Sequence, residues 1–351
     1  MRLVALVLLP IVGAVAAYFD APVRRSRWLV GGALAHLAMV GWAWFSPPEA
    51  SALGWLRFEP LGGLVLTLVS VVFLAVAFYA VGYLRREDPR GGRAFVSALL
   101  AFLASASVVS LTHHFGLLWV GMEATTLTTA PLIYDPRDRH SLDAVWKYLL
   151  VCSVGIAIAL LGTFFLATAQ LAAAGGNGAG LVLEDLVVHA PRFHPVWLRA
   201  AFVFLLVGFG TKMGLAPMHT WLPDAHGEAP SPISALLSGA LLNLAFLAIL
   251  RGLQVVDASG YAADVRAKYE GFFITDSPIT INGSDLAVGA YGFGFSQDGK
   301  MQILDLAGNQ TLSVSTNKDA DLKRPRPLMM TKAADGLRFY NGKDYVTIAA
   351  K

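Results

Sequence analysis

The sequence predicts an all-α polytopic membrane protein of about eight transmembrane helices, followed by a small β-rich segment. Three observations predict it. More than half of the 351 residues are apolar against 15% charged. The apolar residues gather into runs about as long as the ~20 residues a helix needs to cross a bilayer. Near Val256 the texture changes to short alternating stretches broken by turn residues.

The runs are Leu3–Phe19, Trp28–Phe45, Leu61–Leu84, Phe95–Leu111, Gly116–Tyr134, Val145–Ala169, Leu198–Leu222 and Ile233–Leu250. The first is also compatible with a cleaved signal peptide, since Ala14–Ala17 offers small residues, but seven further spans favour a retained helix. Arginine placement gives orientation. Arg24, Arg25 and Arg27 follow the first run, Arg85, Arg86, Arg90 and Arg93 the third, Arg137 and Arg139 the fifth, while the alternate loops are poorer. The positive-inside tendency then puts the amino terminus and everything after the eighth helix outside the cytoplasm.

Residues 1–252 thus form a membrane domain, 253–270 a linker, and 271–351 a β-rich module of unassigned role. The stretches FFIT, AVGAYGFGF, MQILDL, TLSVS, LRFY and YVTIA are its predicted strands. Asp276, Asp285, Asp298, Asp305 and Asp335 are scattered among its turns as turn formers, and Lys323–Pro327 reads as a solvated, proline-stiffened loop. A net charge of +3 carried mainly by loop arginines gives no nucleic-acid signature, and the single Cys152 excludes an intrachain disulfide. No phosphate loop, haem motif, CxxC pair or nucleophilic triad occurs, so no cofactor is expected. PMHTWLPDAHGEAP lacks the i, i+4 ligand spacing of a zinc helix, so no metal is expected there.

Ionisable residues inside spans are functional candidates, because hydrocarbon makes them costly. Three stand out: Glu123 in the fifth run, Lys147 in the sixth and Lys212, placed mid-span in the seventh. The only two lysines of residues 1–252 are both in spans, whereas seven lie in residues 253–351. Ammonium groups change proton affinity readily with their surroundings and guanidinium does not. The set is therefore either a proton-handling constellation or a static ion pair that staples helices. GFGTKMGLAP favours the first: Gly208, Gly210, Gly214 and Pro217 interrupt the helix around Lys212, and broken helices at membrane depth line cavities or sites. His219, Asp224, His226 and Glu228 crowd the loop end after Pro217 and read either as a water-filled proton entrance or as loop capping and packing. Thr125, Thr126, Thr128 and Thr129 either solvate a water path or bond back to helix carbonyls, Asn243 can orient water, and His113 and His114 read as interfacial.

At WVGMEATTLTTAPL, AVWKYLLVCSVGIAIALLGT and GFGTKMGLAPMHTWLPDAHGEAPSPISALLSGALLN the chain resembles the antiporter-like membrane subunits of respiratory complex I, hydrogenase-4-type hydrogenases and multisubunit sodium/proton antiporters, the hydrogenase-4 component F branch most of all. The resemblance covers roughly residues 1–252. It implies a five-helix antiporter repeat at about 94–251, with only the first of the family's two inverted repeats present. It also implies proton-transfer roles for Glu123, Lys147 and Lys212, with Asn243 where some relatives carry a titrating residue. The expected function is proton translocation in a hydrogenase or NADH/quinone oxidoreductase-type complex, coupling without a redox centre of its own. Its partners would be the other membrane subunits and the lipid bilayer of the cell inner membrane. The alternatives are a transport-inactive assembly or anchoring protein displaying the β module, and a subunit of a sodium/proton antiporter. A lone first repeat is expected to load and hold a proton without completing its transfer.

Overall fold

Apolar runs long enough to span a bilayer become helices because only internal hydrogen bonding satisfies the backbone in lipid. In the computed structural model they follow in order as α1 (Arg2–Phe19), α2 (Pro22–Phe45), α3 (Pro60–Glu87), α4 (Arg93–Leu111), α5 (Phe115–Ile133) and α6 (Arg139–Ala174). After these come the short α7 (Leu183–His189), then α8 (Pro195–Met213), α9 (Trp221–Glu228), α10 (Ser231–Leu236) and α11 (Leu242–Ala258). The structure describes residues 2–51, 54–87, 92–134, 139–174, 180–260, 271–296, 298–305, 309–320, 322, 326–333 and 336–351. Arg90, Arg137, Lys323 and Asp335 of the sequence reading lie outside the described residues.

Among the described residues seven helical segments are long and apolar enough to cross a membrane, the last being the continuous stretch Ser231–Ala258. α5 fills the remaining predicted span, the fifth, and at 19 residues equals α4 and α8 in length. It carries Glu123, Pro131 and four threonines along its length.

Two of the predicted spans are interrupted. The seventh ends early: α8 stops at Met213, where Gly214 takes the left-handed conformation at φ 81°, and Leu215 N–H closes the turn on Gly210 O at 2.9 Å. Glycine has no Cβ penalty there, which is why it terminates helices. The chain re-forms helix only at Trp221, so Lys212 sits in the last turn of α8 and not mid-span. In the eighth, a π-helical stretch, Leu237–Leu241, joins α10 to α11. Asn243 donates to Gly239 O at 3.0 Å within that irregular turn.

α6 packs more extensively on α8 than any other two elements pack on each other. Their backbones touch because glycine lines the seam. A Cβ on Gly208 would lie 2.5 Å from Ala159 N and 2.6 Å from Gly155 O, and one on Gly162 would lie 2.8 Å from Leu205 N. Elsewhere, buried His36 of α2 bonds Ser70 of α3 at 3.1 Å and Ser107 of α4 at 2.9 Å, a polar tie among three helices.

The chain divides between Ser259 and Gly260 into two compact units. α11 continues through Ala258, so the first residues of the expected linker are helix; 261–270 lie outside the described residues. In the second unit β1 (Gly271–Thr275), β2 (Ile279–Ile281), β3 (Ser284–Leu286), β4 (Gly289–Ser296), β5 (Lys300–Leu304), β6 (Gln310–Ser315), β7 (Asn317–Lys318), β8 (Arg326–Ala333), β9 (Gly336–Gly342) and β10 (Asp344–Ala350) form two antiparallel sheets. Their orders are β1-β4-β5-β6 and β3-β2-β10-β9-β8, with β7 also on β10. Asn282 and Gly283, both at positive φ, make the two-residue turn of the β2–β3 hairpin. Residues of both sheets, among them Phe293, Ile303, Phe339 and Val346, share one apolar core.

Because Gly208 meets backbone and not a movable side-chain tip, Gly208→Ala is expected to destabilise the purified protein by about 1–3 kcal/mol, as overpacking does. Gly82→Ala, where a Cβ meets nothing within 4 Å, is the matched control. A thermal unfolding series in detergent in which both variants melt with the wild type would remove the seam from the account.

Candidate functional site

The site is built where α5, α6 and α8 meet. The glycine seam brings the end of α8 against α6, and the interruption after Met213 leaves its last carbonyls to be satisfied from elsewhere. The fully buried Trp221, first residue of α9, donates its indole N–H to Thr211 O at 2.8 Å, and its ring lies 5.2 Å from that of buried Tyr148 on α6. Tyr148 in turn shares a 2.6 Å hydrogen bond with Thr129 of α5. A chain of contacts thus locks the broken end against its neighbours.

Lys212 is completely buried inside this arrangement. Its ammonium donates to Met122 O at 3.1 Å and to the Thr126 hydroxyl. Of the two readings of the α5 threonines, Thr125 and Thr129 bond back to helix carbonyls, and Thr126 has a third role, accepting from the lysine. A cation in the last turn also sits at the favourable, negative end of the helix dipole.

Glu123, one residue after Met122, accepts from Ser153 of α6 at 3.1 Å, and its second oxygen is buried without a hydrogen-bond partner. Glu123 and Cys152 lie within electrostatic reach of the Lys212 ammonium. Among the described residues, no ion pair joins Glu123 to either lysine. Lys147 goes elsewhere: its side chain, 51% exposed, pairs with Asp143 at 2.9 Å and with Asp224 of α9 at 3.0 Å.

Of the expected entrance, Asp224, His226 and Glu228 lie on α9 and His219 in the turn before it. His226 bonds Ser234 of α10 at 2.7 Å, and burial holds its imidazole below the ordinary value. Pro217 and His219 are exposed in the turn between α8 and α9.

A second ionic cluster escaped the sequence reading. Backbone bonds place residues 112–115 between two other segments: His113 N donates to Trp55 O at 2.8 Å, and Leu183 N to His113 O at 2.7 Å. His113, taken above as interfacial, is instead buried with Nδ1 at 2.7 Å from Glu184 and Nε2 at 3.4 Å from Glu59. Arg251, 1% exposed near the end of α11, donates to Val109 O at 2.7 Å and Ser110 O at 2.8 Å, and lies 3.4 Å from Glu59. Gly62 leaves room for this reach, since a Cβ there would lie 2.4 Å from Ser110 O. Arg57 closes the set on Glu184 at 3.0 Å. The signal in the sequence was the lone arginine ending an otherwise apolar run.

The site is thus an interrupted helix ending in a buried lysine, packed among helices long and apolar enough to cross a membrane. Residues 112–268 match the family described as NADH:quinone oxidoreductase/Mrp antiporter, TM. The chain is similar to a hydrogenase-4 component F homolog of Methylacidiphilum infernorum, 32% identical over 75% of this chain and 56% of that protein. It is also similar to NADH-quinone oxidoreductase subunit N of Desulforudis audaxviator, 30% identical over 70% of this chain and 47% of that protein. A chain of respiratory complex I from Thermus thermophilus superposes with a TM-score of 0.59 at 25% identity, covering 72% of this chain and 53% of that one. A chain of an archaeal membrane-bound sulfane sulfur reductase shares the fold with a TM-score of 0.65 at 20% identity, covering 75% of this chain and 55% of that one. The chain spans about half the length of these relatives.

Two predictions concern the second cluster. Arg251→Met leaves the Val109 and Ser110 carbonyls without their donor and the partly buried Glu59 without its guanidinium, and is expected to cost about 1–3 kcal/mol, whereas Arg57→Ala at the exposed pair should cost about 0–1 kcal/mol; chemical or thermal unfolding separates them. Burial holds the His113 imidazole below its ordinary value, opposed by Glu59 and Glu184 and reinforced by Arg251. A histidine harder to protonate when folded contributes stability fully above its unfolded value, about pH 6.5, and loses it as pH falls below that. His113→Asn should therefore show a shallower drop in melting temperature between pH 7.5 and 5.5 than the wild type, and equal slopes would contradict the assignment.

Proposed function

We propose that this chain is a proton-translocating membrane subunit of a hydrogenase or NADH/quinone oxidoreductase-type complex, without a redox centre of its own. The observation that carries the reading is the Lys212 ammonium, fully buried at the end of an interrupted helix and held by neutral acceptors with Glu123 in electrostatic reach. A structural staple would place the carboxylate directly on the lysine. Held by a carbonyl and a hydroxyl, the amine can release its proton without breaking an ion pair.

In this reading Lys147, paired with Asp224 at the half-exposed end of α6, hands protons between bulk water and the interior. Lys212 stores the proton, and the Glu123 carboxyl within electrostatic reach influences how tightly. Ser153 and Thr126 fix the two groups at a separation that a small shift of α8 against α6 would change. His226, tied to Ser234, and Asn243, bonded to the π-helical turn, lie where the interruption would flex. The subunit would work beside other membrane subunits in the cell inner membrane, with its amino terminus and the β unit outside the cytoplasm.

The test is proton pumping by the assembled complex in proteoliposomes. Lys212→Met and Glu123→Gln should each lower the proton-to-electron ratio at least several-fold with subunit assembly intact. Lys147→Met should slow pumping less, because its partners are partly exposed. Wild-type pumping by Lys212→Met complexes would leave the chain with an anchoring role alone.

A further inference from the structure

α1 and α2 are joined by a tight turn and leave between them an open groove of about 840 Å³. Gly13, Gly31 and Gly32 line it together with Leu8 and Val12, and Leu8 and Val12 are largely exposed although apolar. Its mouth is different in kind: Asp20, Arg24, Arg27 and Trp28 gather there. Asp20 pairs with Arg24 at 2.9 Å and accepts from the Trp28 indole at 2.9 Å. Arg27 has no partner among the described residues, so the rim carries two guanidiniums against one carboxylate. α2 also opens with arginines and no acidic residue in its first turn, where the helix dipole disfavours positive charge.

The dimensions suit a lipid. Arg24 to Ala35 is eleven residues, about 16 Å at the helical rise, and a single leaflet is half of a hydrocarbon core roughly 30 Å thick. A basic rim at headgroup level above an apolar slot one leaflet deep complements a negatively charged lipid, as basic pockets between membrane helices do. Tryptophan at the rim matches the interfacial preference of that side chain.

We propose that this groove binds one anionic phospholipid, an acyl chain lying along Gly31, Gly32 and Gly13 and the phosphate meeting Arg27 and Arg24. The occupant is a bilayer lipid and not a neighbouring protein helix, because an apolar spanning helix would leave Arg27 without a counter-charge.

Native mass spectrometry of the full chain in detergent, titrated with phosphatidylglycerol or phosphatidylcholine, tests it. The wild type should retain phosphatidylglycerol preferentially. Arg27→Gln should weaken that retention about five-fold, the worth of one arginine near a charged headgroup, with phosphatidylcholine unaffected. Gly31→Leu fills the slot without a clash, since a Cβ there meets nothing within 4 Å, and should reduce retention of both lipids. Equal retention of the two lipids by the wild type, or undiminished retention by Gly31→Leu, overturns the proposal. So does a Gly31→Leu protein that keeps its lipids but loses a neighbouring subunit from the assembled complex.

Discussion

Contact between the backbones of α6 and α8 is the constraint on which the membrane unit depends. In lipid the hydrophobic effect does not draw helices together, so close packing of small residues must. Gly155, Gly162 and Gly208 supply it by letting main chain approach main chain with no side chain between. The approach sets the position of Thr211 and Lys212, which close α8, and so decides that the ammonium meets the carbonyl and threonine of α5. Trp221 then finishes the job from the far side of the interruption by bonding Thr211 O.

Much of this was legible in the residues. The spanning runs were visible because lipid enforces a length and a composition together, and the interruption because glycine and proline crowd one short segment. Lys212 stood out as a rare amine in an apolar run. The alternating stretches of the β unit were equally plain, since FFIT, AVGAYGFGF and YVTIA follow a two-residue period and end on turn residues. Which strands pair, and that two sheets share a core, depends on contacts distant in sequence.

What escaped notice shares one cause. Glu59 and Arg251 are charges at the edge of a run, and His113 and Glu184 stand beside His114 and Asp185 between runs, places where an ionisable residue is ordinary. Only tertiary structure shows that residues 55–57, 112–115 and 181–183 pair through their backbones and carry those side chains inward. Lys147 went the other way: eight residues into a helix it read as buried, yet its long stem reaches Asp224 at the open end. α9 looked like a loop because its histidine, proline and glycine obscure a helical register that the buried Trp221 and Ala225 establish.

The π-helical turn at Leu237–Leu241 has a consequence for both ends of its segment. Each residue of an α-helix turns the chain by about 100°, so a one-residue deletion there that restored regular winding would swing the rest of α11 by nearly a third of a revolution. Arg251 would then point away from the Val109 and Ser110 carbonyls it now reaches. The irregular turn acts as an angular spacer, allowing one length of chain to meet the broken-helix region at its start and the Glu59 cluster at its finish, two appointments that an ideal helix of the same sequence could not both keep.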